Sequence, residues 1–261
     1  MSGFSACKFI KLCRSDHMIG QSAFKIYLCT AFWLLPEGFT IPYYMHYTHL
    51  FFDLDGTLID SKEGILSSVK YFMDKTNIPE NERPKDLNPF IGPPLRDSFR
   101  LLFGLNPDEA DEATRIYREH YSEKGFNEYR VYPGIKEILF FLKNSGCSLS
   151  LVTSKAEFYA IKIIEAAGFS GLFDAVSGCM LNGERSKKHD LILYTLDQLK
   201  IKPSQNVIMI GDRYLDVKGA HAAGISSAAV LYGYGDRPEF NALPPDLFIN
   251  RPEDLRCLAN K

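Results

Sequence analysis

His49-Leu50-Phe51-Phe52-Asp53-Leu54-Asp55-Gly56-Thr57 is an apolar run that ends in two carboxylates and a turn. The run is short and rich in aromatic and aliphatic side chains, so it reads as a buried strand, His49–Leu54. Strand periodicity places Asp53 and Asp55 on one side. Two carboxylates so close repel unless a cation joins them or they do different jobs. One can attack phosphorus and form an aspartyl-phosphate. The other can protonate the leaving oxygen and then activate water. Gly56-Thr57 supplies the tight turn.

Further strands are expected at Ser148–Thr153, Asp174–Ser177, Val207–Ile210, Ser226–Leu231 and Asp246–Ile249. Amphipathic helices lie between them, for example the stripe Ile135, Ile138, Leu139 and Leu142. Alternation of strand and helix implies an α/β chain with a parallel sheet. The alternation fails between about 62 and 132. There Ile65, Val69, Phe72 and Met73 form one helical stripe. Leu95, Phe99, Leu102 and Phe103 form a second, and Ala113, Ile116, Tyr117 and Tyr121 a third. Pro79, Pro84, Pro89 and Pro93-Pro94 punctuate them. This is a helical insertion after the first strand, where insertions overhang the ligand crevice of a parallel sheet.

Other strand ends carry matching chemistry. Gly211-Asp212 follows Val207–Ile210, and Asp216 comes four residues later; these carboxylates suit Mg²⁺, a hard cation that prefers oxygen. Thr153-Ser154-Lys155 offers a hydroxyl and N–H groups to phosphoryl oxygens. Arg185, Lys187 and Lys188 precede a helix, and a lysine there can neutralise the attacking carboxylate and the transferring group. Taken singly, each has a plain structural reading as a helix cap or a solvated turn. Gly-x-Ser-x-Gly, P-loop and His-Glu-x-x-His patterns are absent.

Composition limits the alternatives. The 261 residues are 46% apolar and 24% charged, with a net charge of −2. That supports a sizeable core and gives no global field for a nucleic-acid polymer or an anionic membrane. The six cysteines form no CxxC pair and no zinc pattern, so they read as reduced thiols in a cytoplasmic protein. Residues 1–44 differ from the rest. They hold three of the six cysteines and an apolar run, Ile26 to Leu35, well short of the roughly 20 residues that span a bilayer. No small-x-small cleavage site follows that run, and a transit peptide has little compositional support. We read the segment as an extension upstream of a natural start at Met45.

The elements Asp53-Leu54-Asp55-Gly56-Thr57, Thr153, Lys188 and Gly211-Asp212 with Asp216 occur in an order that resembles the haloacid dehalogenase (HAD) superfamily, in particular its phosphatases. The resemblance covers Met45 to about Asn260. It implies a Rossmann-like parallel-sheet core, 45–61 and 133–261, with a small all-helical cap at 62–132. It implies Asp53 as nucleophile, Asp55 as acid/base, and Thr153 and Lys188 at the phosphoryl group, with Lys187 as the alternative register. It implies Mg²⁺ held by Asp53, Asp55 and Asp212, supported by Asp216. Gly56, Thr57, Ser154, Lys155 and Arg185 then join the substrate set, with Ile91 and Gly92 from the cap.

A narrower resemblance rests on Phe90-Ile91-Gly92-Pro93-Pro94-Leu95, Arg185-Ser186-Lys187-Lys188 and Met209-Ile210-Gly211-Asp212-Arg213. It points to the phosphoglycolate-phosphatase-like branch and, within it, to bacterial 5′-nucleotidases. The implied partner is a small phosphorylated metabolite: a nucleoside monophosphate first, phosphoglycolate or another small phosphomonoester second. A phosphomutase and a non-catalytic module are the other readings. Phe90, Phe99 and Tyr71 are aromatic enough to stack a base, although core packing is the commoner use.

Overall fold

A computed structural model describes residues 47–259. The 1–44 extension and Met45 lie outside the described residues. The central sheet has six parallel strands: β1 His49–Phe52, β4 Ser148–Ala156, β5 Ala175–Cys179, β6 Val207–Gly211, β7 Ser226–Val230 and β8 Leu247–Ile249. Their order is β5-β4-β1-β6-β7-β8. The chain builds outward from β1 on one side and then returns to pair β6 on the other. That reversal opens a crevice at the C-terminal ends of β1, β4 and β6, the usual ligand position of such sheets.

Both faces of the sheet are covered, so its strands are apolar at successive positions. Leu50 and Phe52 join Leu149, Leu151, Ile208 and Ile210 on one face. Helices α4 Ile135–Asn144 and α5 Glu157–Ala166 cover that face through Ile138, Leu139 and Ile163. Phe51 points to the other face with Val152, Val207 and Met209. There α6 Lys188–Gln198 and α7 Tyr214–Ala222 contribute Leu191, Ile192 and Ala220.

A second, antiparallel pair of two residues each, β2 Ile59–Asp60 and β3 Arg130–Val131, has no counterpart in the sequence reading. Strands of two residues are too short to show a period. Between them lie α1 Lys62–Lys75, α2 Leu95–Phe103 and α3 Pro107–Glu123. Asn106 caps α3 reciprocally with Glu109, and Pro107 occupies its first position, so the start of α3 is written into the chain. Each of the three stripes lies on one of these helices, and together they bury a separate apolar cluster. Phe90 and Phe99 are buried at the centre of that cluster, in edge-to-face contact with each other. Tyr71 lies stacked on His120. These three aromatics are thus used in packing; Phe99 is fully enclosed by the cluster, whereas Phe90 also borders a cavity between the sheet and the helices. Among the described residues, no helix is long and apolar enough to cross a membrane.

Candidate active site

The register of the sheet assembles the site. Phe52 pairs with Leu151 and Ile210, so the next residues, Asp53, Val152-Thr153 and Gly211-Asp212, emerge at one level. Carboxylate oxygens of Asp53, Asp212 and Asp216 lie within 4.8 Å of one another, and all three residues are buried. Lys188 Nζ enters the group, 3.0 Å from Asp53 Oδ1 and 2.8 Å from Asp216 Oδ1, and donates to the Val152 carbonyl at 3.0 Å. Lys187 is exposed at the start of α6, so of the two lysines it is Lys188 that reaches the carboxylates.

Burial pushes the Asp53 carboxyl up to about 6; Lys188 opposes the rise, and the charges of Asp216 and Asp55 add to it. Burial, followed by the Asp216 and Asp53 charges, holds Asp212 well above the usual carboxylate range. Burial alone would lower Lys188, but Asp216 and Asp53 outweigh it and hold the ammonium above its ordinary value. Three carboxylates against one ammonium leave a formal deficit of two positive charges in a dry site. In addition, Asp212 Oδ1 is buried without a hydrogen-bond partner. A divalent, oxygen-seeking cation fits both facts.

Asp55 takes a different position. Its carboxylate lies outside that trio and lines the cavity between sheet and helices. Both of its oxygens face Lys155 Nζ, at 2.9 and 2.8 Å. Lys155, expected to bind substrate, is thus held by Asp55. Thr153 Oγ1 accepts the Lys155 N–H at 3.2 Å, and Ser154 and Lys155 line the cavity. Gly56 has φ +79°, and a Cβ there would fall 2.0 Å from Asp212 Oδ2. Its role is close approach, which only glycine permits.

Three residues expected at the substrate do not line this cavity. Thr57 is fully buried, and its carbonyl accepts from the Tyr232 hydroxyl. Ile91 is buried in the apolar cluster of the helical insertion, because its side chain is worth more there than in a polar cleft. Arg185 pairs with Glu157 at 3.4 Å and lies over the Tyr194 ring. Gly92 does line the cavity.

The cavity, about 580 Å³, is lined from the insertion by Arg96, Arg100, Thr114, Tyr117, Arg118 and Tyr121. Thr114, Tyr117, Arg118 and Tyr121 follow helical spacing along α3. Burial pushes the Tyr117 and Tyr121 phenols well above their ordinary value, so both remain protonated donors. Sequence reading assigned these two to packing and did not single out the arginines. Tyr234 was also missed. Its N–H donates to Asp212 Oδ2 at 2.8 Å, and its hydroxyl donates to Asp60 Oδ1 at 2.7 Å and accepts from the Ser61 N–H at 2.8 Å. The available signal was Gly233-Tyr234-Gly235 at the end of an apolar strand, where glycines mark close backbone approach.

The family described as haloacid dehalogenase-like hydrolase matches residues 50–230. A 5′-nucleotidase of Pseudomonas aeruginosa is 37% identical over 201 residues, 77% of this chain and 90% of the relative. A phosphoglycolate phosphatase of Aquifex aeolicus is 31% identical over 206 residues, 79% of this chain and 93% of the relative. The crystal structure of a predicted phosphatase from Clostridium acetobutylicum superposes with a TM-score of 0.76 at 38% identity, covering 81% of this chain and 97% of that one.

Proposed function

Because the chain belongs to the haloacid dehalogenase-like hydrolases and is a phosphatase, we propose that it hydrolyses small phosphomonoesters through an aspartyl-phosphate on Asp53, with Mg²⁺ as cofactor. One observation carries the reading. Two aspartates a single residue apart have separate surroundings: Asp53 among carboxylates and Lys188, Asp55 at the cavity with Lys155.

The division of labour follows. An Asp53 oxygen attacks phosphorus in line, and the bond from phosphorus to the leaving oxygen breaks. Asp55, in its protonated form, gives its proton to that oxygen, and Lys155 pairs with the carboxylate left behind. It then takes a proton from water, whose oxygen attacks the aspartyl-phosphate and frees Asp53 and inorganic phosphate. Lys188 holds Asp53 in place, and the Thr153 hydroxyl and the Ser154 N–H face the equatorial oxygens. Asp53 and Asp212 would hold Mg²⁺, with Asp216 behind them and Asp55 contributing only its carbonyl. Bound there, the ion would neutralise phosphoryl charge and allow the carboxylates to share the site. The helical insertion acts as a cap that excludes water and reads the leaving group.

Nucleoside monophosphates are the first substrate class, supported by the Pseudomonas relative. A compact leaving group with its own anion is the second. It is favoured by Arg100 and by Arg118 in the cavity, although Arg118 Nη1 donates to the Leu181 carbonyl at 2.7 Å, while Arg96 is paired with Asp111 and Lys155 with Asp55. Free Cys147 and Cys179 thiols support a reducing, cytoplasmic setting. Asp53→Asn is expected to abolish release of phosphate from a metabolite panel with the fold retained. Turnover at the wild-type rate would overturn the assignment.

A further inference from the structure

Arg213 follows Asp212 and opens α7. Its backbone is bound into the carboxylate group: its N–H donates to Asp216 Oδ2 at 3.1 Å, and its carbonyl accepts the Asp216 N–H at 3.0 Å. Its side chain leaves the core. Nε donates to the Glu239 carboxylate, 3.0 and 3.1 Å from its two oxygens, and Nη1 donates to the Ile91 carbonyl in the insertion. Glu239 is itself anchored, since Oε1 accepts the Tyr214 N–H at 2.8 Å.

The insertion is shaped around this side chain. Gly92, beside Ile91, has φ +104°, and a Cβ there would fall 3.1 Å from Arg213 Cγ and 3.2 Å from Nη1. Glu239 already balances the guanidinium charge, so the bond to Ile91 is not needed for neutrality. It spans sheet domain and cap with a charge-assisted hydrogen bond to a peptide carbonyl.

We propose that Arg213 is a positioning residue that ties the carboxylate trio to the cap. Movement of the loop around Ile91-Gly92 is transmitted through the guanidinium to the backbone between Asp212 and Asp216. Cap position and carboxylate geometry are then set together. The inference rests on the roles proposed above for those carboxylates.

The test uses the full chain with Arg213→Ala, Arg213→Lys and, from the cap side, Gly92→Ala. Hydrogen exchange of residues 88–94 and 211–216 is measured without substrate, and p-nitrophenyl phosphate hydrolysis is measured with saturating Mg²⁺. In Arg213→Ala, exchange across 88–94 is expected to rise by about tenfold or more. kcat falls by about 10- to 100-fold, as expected of a displacement near 1 Å, with Tm nearly unchanged. Arg213→Lys keeps the charge beside Glu239 and recovers part of the rate. Gly92→Ala reproduces the exchange change without touching the core. Unchanged exchange across 88–94 overturns the proposal, and so does a rise spread evenly over the whole chain with a matching fall in Tm. If the wild-type chain hydrolyses no phosphomonoester, the assigned roles fail, and the exchange comparison alone decides the tether.

Discussion

Lys155 Nζ lies 2.9 and 2.8 Å from the two carboxylate oxygens of Asp55 and 5.2 Å from the centre of the Tyr121 ring on the cap. Both members of the ion pair are nearly buried, with side chains 7% and 12% exposed. The proposed proton carrier is therefore oriented by a side chain that the cap also touches.

Lys155→Met keeps the apolar stem and removes the ammonium. Asp55 then loses the partner that fixes its direction, and kcat for p-nitrophenyl phosphate falls by roughly 10- to 100-fold, within the range of general acid–base contributions. Stabilisation by Mg²⁺ persists, because the Asp55 carboxylate is outside the trio. Steady-state rates and thermal melts with and without Mg²⁺ check both halves.

The charge deficit around Lys188 predicts that Mg²⁺ stabilises the fold. At about 100 times Kd the gain is about 2.7 kcal/mol, or roughly 5–10 °C in Tm for a domain of this size. Asp212→Asn removes this shift and raises the Tm of the metal-free protein, since one buried carboxylate is gone. Chelator-treated melts of both proteins provide the comparison. An undiminished Mg²⁺ shift in Asp212→Asn would remove that residue from the metal site.

Gly56→Ala forces a side chain to a positive φ, costing about 1–2 kcal/mol, and drives its Cβ into Asp212. Overpacking adds about 1–3 kcal/mol. Urea denaturation is expected to show the sum, and Mg²⁺ titration to show weakened binding.

Phe99→Ala opens a cavity among Phe72, Phe90 and Tyr117, all in edge contact with Phe99. The cost is about 3–5 kcal/mol. Hydrogen exchange is expected to rise across α1, α2 and α3 while the β1, β4 and β6 amides stay protected.

Arg100→Ala separates the two substrate classes. If the leaving group carries an anion, kcat/KM for phosphoglycolate falls by about tenfold or more while that for a nucleoside monophosphate holds, given about 1.5–3 kcal/mol for a hydrogen bond to a charged group. Equal losses on both substrates would dismiss the anionic reading.

The strand ends that carry Asp53, Thr153 and Asp212 were legible because each follows an apolar run, and the sheet brings run ends to one level. The helices of the insertion were legible from stripes that bury one shared cluster. The pairing of Lys155 with Asp55 was not legible, because the two lie 100 residues apart and pairing across the fold leaves no local pattern. Ile91 and Thr57 were drawn to the substrate by their neighbours in sequence, whereas burial decides where their side chains go. Asp216 serves two ends, capping Arg213 and binding Lys188, and sequence spacing does not separate these roles.

The insertion leaves the sheet domain at Ile59–Asp60 and re-enters at Arg130–Val131, two stretches paired side by side. Its endpoints therefore lie side by side, however far the chain travels between them. An insert of different length is expected to be tolerated on the same ribbon, because the cost of closing a loop grows only slowly with its length. If the insertion reads the leaving group as proposed, that preference hangs on one short ribbon, apart from the strand ends proposed to carry the phosphoryl chemistry.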